Sequence, residues 1–181
     1  MRSIAAVAVA VMAVLVAAPT ATSGSSANVE RRPALEAAVI HELNEVRSAH
    51  GLEPLRSSPS LRSAARGHSR AMLDYGFFSH DSADGTAFSE RIRRYYTNRG
   101  WRTWSVGEAL LASQGIDIDA AGIVRAWLES PPHREIILSP TFHDAGIGAL
   151  YASSAPKEFS GAETVVVTAD FGLREGRVSP S

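Results

Sequence analysis

The chain has 181 residues, a formal net charge of −1 and no cysteine. Balanced charge without a Lys/Arg run leaves no electrostatic footprint for nucleic acid or an anionic membrane, and the lack of thiols excludes disulfides, thiolate metal sites and cysteine nucleophiles. Stability therefore has to come from packing.

The chain opens "MRSIAAVAVAVMAVLVAAPTATSGSSAN", with one basic residue, an apolar run from Ile4 to Ala18, and a Ser25-x-Ala27 pattern of small residues. This is the pattern of a cleaved secretory signal over residues 1–27. The apolar run is roughly 15 residues where a membrane span needs about 20, so no span is expected after cleavage. About 150 residues then remain, enough for one domain. Residues 28–34 read as a short exposed leader, 35–173 as the domain and 174–181 as a flexible tail.

From Leu35 to His50, apolar residues recur at Leu35, Val39, Leu43 and Val46, which is helical spacing, and Gly51 supplies the stop. Ser58 with Pro59 starts a second helix whose stripe runs Leu61, Ala65, His68 and Met72, ending near Gly76. His68 lies inside the stripe and reads as a core histidine with one hydrogen-bond partner. "FFSHDSADGT" is loop, "AFSERIRRYY" returns to helical spacing, "TWSV" reads as a short strand and "EALLAS" as a helical turn or two. Asp117 or Asp119 can cap the next helix, which carries Ile123, Ala126 and Trp127 and stops near Glu129. A residue before proline is pushed out of the helical region, so Ser130-Pro131-Pro132 marks a break: Ser130 caps a new helix and Pro131 takes its first position. "AGIGALYAS" and "ETVVVTADFG" read as an antiparallel pair, with Gly146 and Gly148 allowing close packing over one strand. Helices and antiparallel strands in one short chain give an α+β class.

No G-x-S-x-G elbow, phosphate-binding glycine loop or H-E-x-x-H helix is present in the mature chain, which removes three familiar catalytic designs. The residues left with chemistry are His80 in "FFSHD", Glu108 in "VGEAL", and Glu129 and His133 in "LESPPHR". Imidazole and carboxylate together ligate zinc or serve as acid and base, but their wide spacing does not show that they meet.

"LNEVRSAHGLEPL", "LRSAARGHSRAM", "FSHDSADG", "SERI", "VGEAL", "AWLESPPHREIILSPTFHDAGIGAL" and "ADFG" follow one another in the order and spacing of a bacterial CAP domain, of the SCP/TAPS superfamily. The resemblance spans about Leu35 to Gly172 and includes the bacterial W-x-x-S-P-x-H-R block at Trp127, Ser130, Pro131, His133 and Arg134. It implies a three-layer α-β-α sandwich around a central antiparallel sheet. It also implies a cleft where two histidines and two glutamates hold a divalent metal: His80, Glu108 and Glu129 match three of these positions. His133 either takes the fourth or closes the helix junction. Ala109 stands where the family usually has asparagine, a loss expected to weaken metal affinity by roughly 10 to 100-fold. Asn44, Arg47 and Arg91 read as buried hydrogen-bonding or ion-pair residues.

The resemblance implies a secreted, extracellular, non-enzymatic module. Its partner would be a small apolar ligand, a cell-envelope component or a protein, with no nucleic acid and no required cofactor beyond a weakly held divalent metal such as zinc. The alternative is a metal-dependent hydrolase of peptide or envelope polymers, with Glu108 or Glu129 as general base. Neither oligomeric state nor ligand identity follows from the sequence.

Overall fold

The computed structural model describes residues 28–115 and 118–178. The signal segment therefore lies outside the described residues, as does Asp117. In chain order the elements are β1 (Val29–Arg31), α1 (Pro33–Ala49), β2 (Arg56–Ser57), α2 (Pro59–Tyr75), α3 (Phe88–Arg93), β3 (Trp101–Gln114), α4 (Ala120–Glu129), α5 (Pro131–Ile137), β4 (Asp144–Ala152) and β5 (Thr164–Arg177). The sheet order is β1-β4-β5-β3, with the two residues of β2 running parallel to the start of β4. All other pairings are antiparallel. One edge of β4 is shared by β1 and β2. Among the described residues, β3 has β5 on one side and no strand on the other.

Strand periodicity separates two cores. Odd-numbered strand residues, including Ala109, Ala145, Ile147, Ala149, Val167 and Phe171, pack with Val39 and Leu43 of α1, Ile123 and Trp127 of α4 and Ile137 of α5. Even-numbered residues point the other way: Leu110, Leu150 and Val166 meet Met72 and Leu73 of α2. At the other end of α2, Leu61 and Ala64 pack with Ile92 of α3 and with Tyr96, against Trp104 and Val106. Helices on both faces of a mainly antiparallel sheet give the expected α-β-α layering.

Side chains reading backbone fix the helices. Asn44 accepts from the Leu55 amide at 2.8 Å and donates to the Leu55 carbonyl at 3.1 Å. Arg47, 1% exposed, donates to the carbonyls of Glu53, Ile137, Ser139 and Phe142 at 2.7–3.3 Å. This cation is held by peptide dipoles, which satisfy its donors where water has been removed. Ser58 caps α2 through the Leu61 amide, and Gly76 closes that helix with a left-handed φ of 65°. Asp119 caps α4 by accepting from the Gly122 amide at 2.7 Å.

Several expectations change. "EALLAS" is strand, because β3 pairs with β5 along its whole length from Trp101↔Arg177 to Gln114↔Thr164, and this pairing overrides the helical preference of Leu and Ala. The segment expected as a leader contains β1, whose Val29–Arg31 pairs with Leu150–Ala152; three polar-flanked residues carry no apolar period to reveal it. The segment expected as tail begins with the last residues of β5, which runs to Arg177. Ser130 is extended and stands at the N-cap of α5, but its side chain makes no capping bond there.

Helix α2 approaches β4 to within the clearance that glycine allows. A Cβ on Gly146 would lie 2.0 Å from the Arg62 nitrogen, and one on Gly148 would lie 2.3 Å from the Arg66 nitrogen. These neighbours are backbone atoms, which cannot swing aside as a flexible side chain can. Gly146→Ala is therefore expected to destabilise the fold by about 3 kcal/mol or more, at the upper end for overpacking. Urea unfolding measures this, and a cost below about 1 kcal/mol would show that α2 shifts freely over the sheet.

Candidate functional site

Glu108 sits in the middle of β3 on the even-numbered face, 2% exposed. A buried carboxylate needs partners, and Glu108 has two: His80 Nδ1 lies 2.8 Å from Oε1, and the Arg91 guanidinium donates to Oε2. A carboxylate only accepts, so Nδ1 of His80 carries the hydrogen and Nε2 faces away from Glu108. His80 comes from the loop after α2, and Arg91 from α3 also donates to the His80 carbonyl at 3.2 Å. One guanidinium therefore fixes both the carboxylate and the loop bearing the imidazole.

His133, in the first turn of α5, approaches from the opposite layer. Its ring centroid is 6.4 Å from that of His80, whose other neighbour is the Phe88 ring at 6.2 Å. Three of the four expected residues are thus brought to the free edge of β3. Glu129 is exposed at the end of α4, and among the described residues no hydrogen bond, ion pair or ring contact joins it to the other three. Nor, among the described residues, is any group of three or more His, Asp or Glu side chains arranged to hold a metal ion.

The electrostatics follow from burial and pairing. Burial works against the charge on Glu108, but the His80 hydrogen bond and the Arg91 charge outweigh it and hold the carboxyl below the ordinary carboxylate range. The same hydrogen bond raises His80 above the ordinary histidine range. Burial, followed by the neighbouring His80 charge, lowers His133. Asp170, directly opposite Glu108 on β5 and fully buried, is pushed well above the usual carboxylate range by burial and by the Glu108 charge. Its Oδ2 is 4.0 Å from Arg91 Nη1, and neither of its oxygens accepts a hydrogen bond among the described residues.

The expectation about Ala109 is corrected by strand geometry. Its side chain faces the α1/α4 core on the other side of the sheet, so Glu108 is oriented by Arg91 and His80, independently of residue 109. His68 is buried with Nε2 2.8 Å from the Ser79 carbonyl and its ring against Phe77, as expected of a core histidine. The residue that sequence reading passed over is Asp170. Its only signal is an acid inside the otherwise apolar and β-branched run "VVVTADFG".

These blocks correspond to a known domain: residues 40–171 match the model of CAP, the cysteine-rich secretory protein family. The chain belongs to that family. It is 29% identical over 121 residues to YkwD of Bacillus subtilis (strain 168), covering 67% of this chain and 44% of that protein. This CAP chain thus spans less than half the length of that curated relative. Among solved structures it is similar to an extracellular protein containing an SCP domain from Bacillus anthracis str. Ames, with a TM-score of 0.59 at 25% identity over 77% of this chain and 40% of that one. It is also similar to an outer surface protein from Borrelia burgdorferi, with a TM-score of 0.57 at 22% identity, covering 76% and 90% of the two chains. The latter likeness is one of fold.

Burial and the Glu108 charge raise Asp170 well above its unfolded value, so folding of the CAP domain favours the protonated form of this carboxyl. The sign is that of a group raised above its unfolded value: its favourable contribution is complete below the unfolded pKa and is lost as pH rises toward the folded one. Asp170→Asn escapes this loss. Its stability relative to wild type is expected to rise as pH increases above the ordinary carboxylate value of about 4, by up to about 1.4 kcal/mol per pH unit. Denaturant unfolding across a pH series measures this; a pH-independent difference would mean that the Asp170 carboxyl is not raised in the fold.

Proposed function

We propose that this chain is an exported CAP binding module that engages its partner at the cleft on the β3 edge. The observation that carries this reading is the double commitment of Glu108. With Oε1 bound by His80 and Oε2 bound by Arg91, and with its basicity lowered, Glu108 is poorly placed to take a proton from water or to ligate a metal. Glu129, the other carboxylate suited to general-base work, is not joined to the histidines among the described residues. The lack of a third assembled donor there weighs against the catalytic metal geometry of three protein ligands and one open position.

The residues do suit a weakly held divalent ion such as zinc. His80 donates from Nδ1 to a carboxylate, leaving Nε2 free, which is the outer-sphere pattern that orients a ligating imidazole. His133 supplies the second ring nitrogen, and Glu108 supports His80. Such an ion would add Lewis acidity and a bridging charge for a partner's oxygen atoms. Export is supported by the signal pattern at residues 1–27, and by solved relatives described as an extracellular protein and an outer surface protein.

Zinc calorimetry tests the two-imidazole reading. His80→Ala and His133→Ala are each expected to abolish binding, while Glu108→Gln weakens it by about 10 to 100-fold. Only neutral imidazole ligates, and His80 is raised, so affinity should begin to fall at a pH above the ordinary histidine value of about 6.5. Unchanged heats in the His80→Ala/His133→Ala double variant would remove the site.

Turnover tests the binding reading separately. Purified protein supplied with zinc or calcium is expected to leave casein and peptidoglycan intact. Metal-dependent cleavage that disappears in Glu108→Gln would establish a hydrolase instead.

A further inference from the structure

The edge of the sheet opposite β3 is interrupted. Along β4 and the residue before it, the carbonyls of His143 and Ala145 accept from the amides of Arg56 and Ser58, and the Ala149 carbonyl accepts from the Arg32 amide after β1, while the Ala149 amide donates to Glu36. In an antiparallel strand, a residue's N–H and C=O point to the same edge, and the edge alternates with each residue. Odd-numbered residues of β4 therefore face away from β5, and Ile147 falls in the gap between β2 and β1. Among the described residues, nothing hydrogen-bonds to its N–H or its C=O.

A depression of about 210 Å³ opens over this gap. Buried Ala145 and Ile147 form its floor, and exposed Pro33, Ala37 and Ser57 form its rim. The Ile147 side chain packs into the α1 core, so what it turns to the depression is backbone. Glu36 of α1 reaches across the sheet edge to Arg66 of α2, which binds both of its carboxylate oxygens. Arg62, one turn earlier on α2, lines the same depression half-buried and has no carboxylate within ion-pair distance among the described residues. Gly146 lies against the backbone of Arg62 and Gly148 against that of Arg66, so Arg62 stands on the N–H side of Ile147. Two guanidinium groups against one carboxylate leave an excess positive charge beside an unused donor.

We propose that this depression binds the free C-terminus of a peptide that ends in a small apolar residue. In a hydrogen-bonded antiparallel pair, two residues exchange both N–H···O bonds. A terminal residue opposite Ile147 donates its N–H to the Ile147 carbonyl and accepts from the Ile147 amide on one carboxylate oxygen, which leaves the other oxygen for Arg62. Size sets the side chain: 210 Å³ is the liquid volume of about seven water molecules, room for one small residue and its carboxylate. Pro33, Ala37 and Ile40 offer that side chain only hydrocarbon. Because β2 and β1 close the gap at both ends, a continuous strand is excluded and a chain end fits. The site lies on the opposite edge of the sheet from the His80–His133 cleft, and the proposal does not rest on the reading of that cleft.

The probe is acetyl-alanyl-alanine with a free carboxylate, titrated into the mature protein and followed by backbone amide NMR. The Ile147 amide is expected to shift, with a dissociation constant on the order of 1 mM for so small a contact. The same peptide with its carboxylate amidated should bind at least about tenfold more weakly, since a hydrogen bond to a charged group is worth that factor or more. Acetate, which lacks the N–H, and acetyl-alanyl-tryptophan, which is too large, should also bind more weakly. Arg62→Gln is expected to bring the free acid and the amide to the same affinity, a loss of discrimination that a merely structural arginine would not cause. If Arg62→Gln does not fold, the comparison of acid with amide on wild-type protein decides the question. Equal affinity of wild type for acid and amide, or for acid and acetate, overturns the proposal. So does the absence of binding at about ten times the expected dissociation constant, or saturation in which the amides of His80 and His133 move and that of Ile147 does not.

Discussion

Helix α2 lies directly on a floor of glycine. Where Gly146 and Gly148 lack side chains, the backbone of α2 descends to the backbone of β4, and no other residue type permits that depth. The height of α2 over the sheet then sets the position of its C-terminus, where Gly76 turns in the left-handed region; a Cβ there would lie 2.4 Å from the Pro156 carbonyl oxygen. From Gly76 the chain enters the loop carrying His80. The hydrogen bond between His80 and Glu108 thus depends on two strand glycines that carry no chemistry of their own.

The interior manages two buried cations by different means. Arg47 has no carboxylate partner among the described residues and spreads its charge over four carbonyls drawn from the loop after α1, the end of α5 and the segment following α5. Arg91 faces two acids: the His80 hydrogen bond and the Arg91 charge favour the ionised form of Glu108, while burial and the Glu108 charge favour the protonated form of Asp170. Opposed shifts of this kind bring the cluster nearer to neutrality, which avoids leaving an uncompensated charge in a medium of low dielectric. It also explains why Glu108 can be buried and ionised together: its charge belongs to the support of His80.

How much of this could be read from the sequence depended on the range of the forces involved. Helices α1, α2 and α4 were legible because their apolar stripes and caps are local, and so was the α4/α5 break, because proline acts on its immediate neighbour. β3 was not legible as one strand, since "EALLAS" prefers helix until β5 lies beside it. The side on which Ala109 falls follows from that strand, so it was misplaced for the same reason. His80, Glu108 and His133 were placed together by family resemblance, as their spacing alone could not do. Glu129 followed the same resemblance, but the structure leaves it outside the cluster. Asp170 was missed because its partner is a cross-strand neighbour 62 positions away in register, Glu108↔Asp170.

The order of strands also governs when the molecule can exist at all. β1 pairs with the end of β4, β3 pairs with β5, and the Glu36 carboxylate accepts from the Ala149 amide across 113 positions. Among the described residues, no sheet contact joins two strands that both lie in the first half of the chain. Strands β1 to β3 therefore wait for the last two, and the β1 and β3 ladders need the closure of long loops, whereas β4 and β5 are joined by a short connection. A chain made from its N-terminus thus gains its sheet only once β4 and β5 are present, and the first helices precede the surface on which they pack.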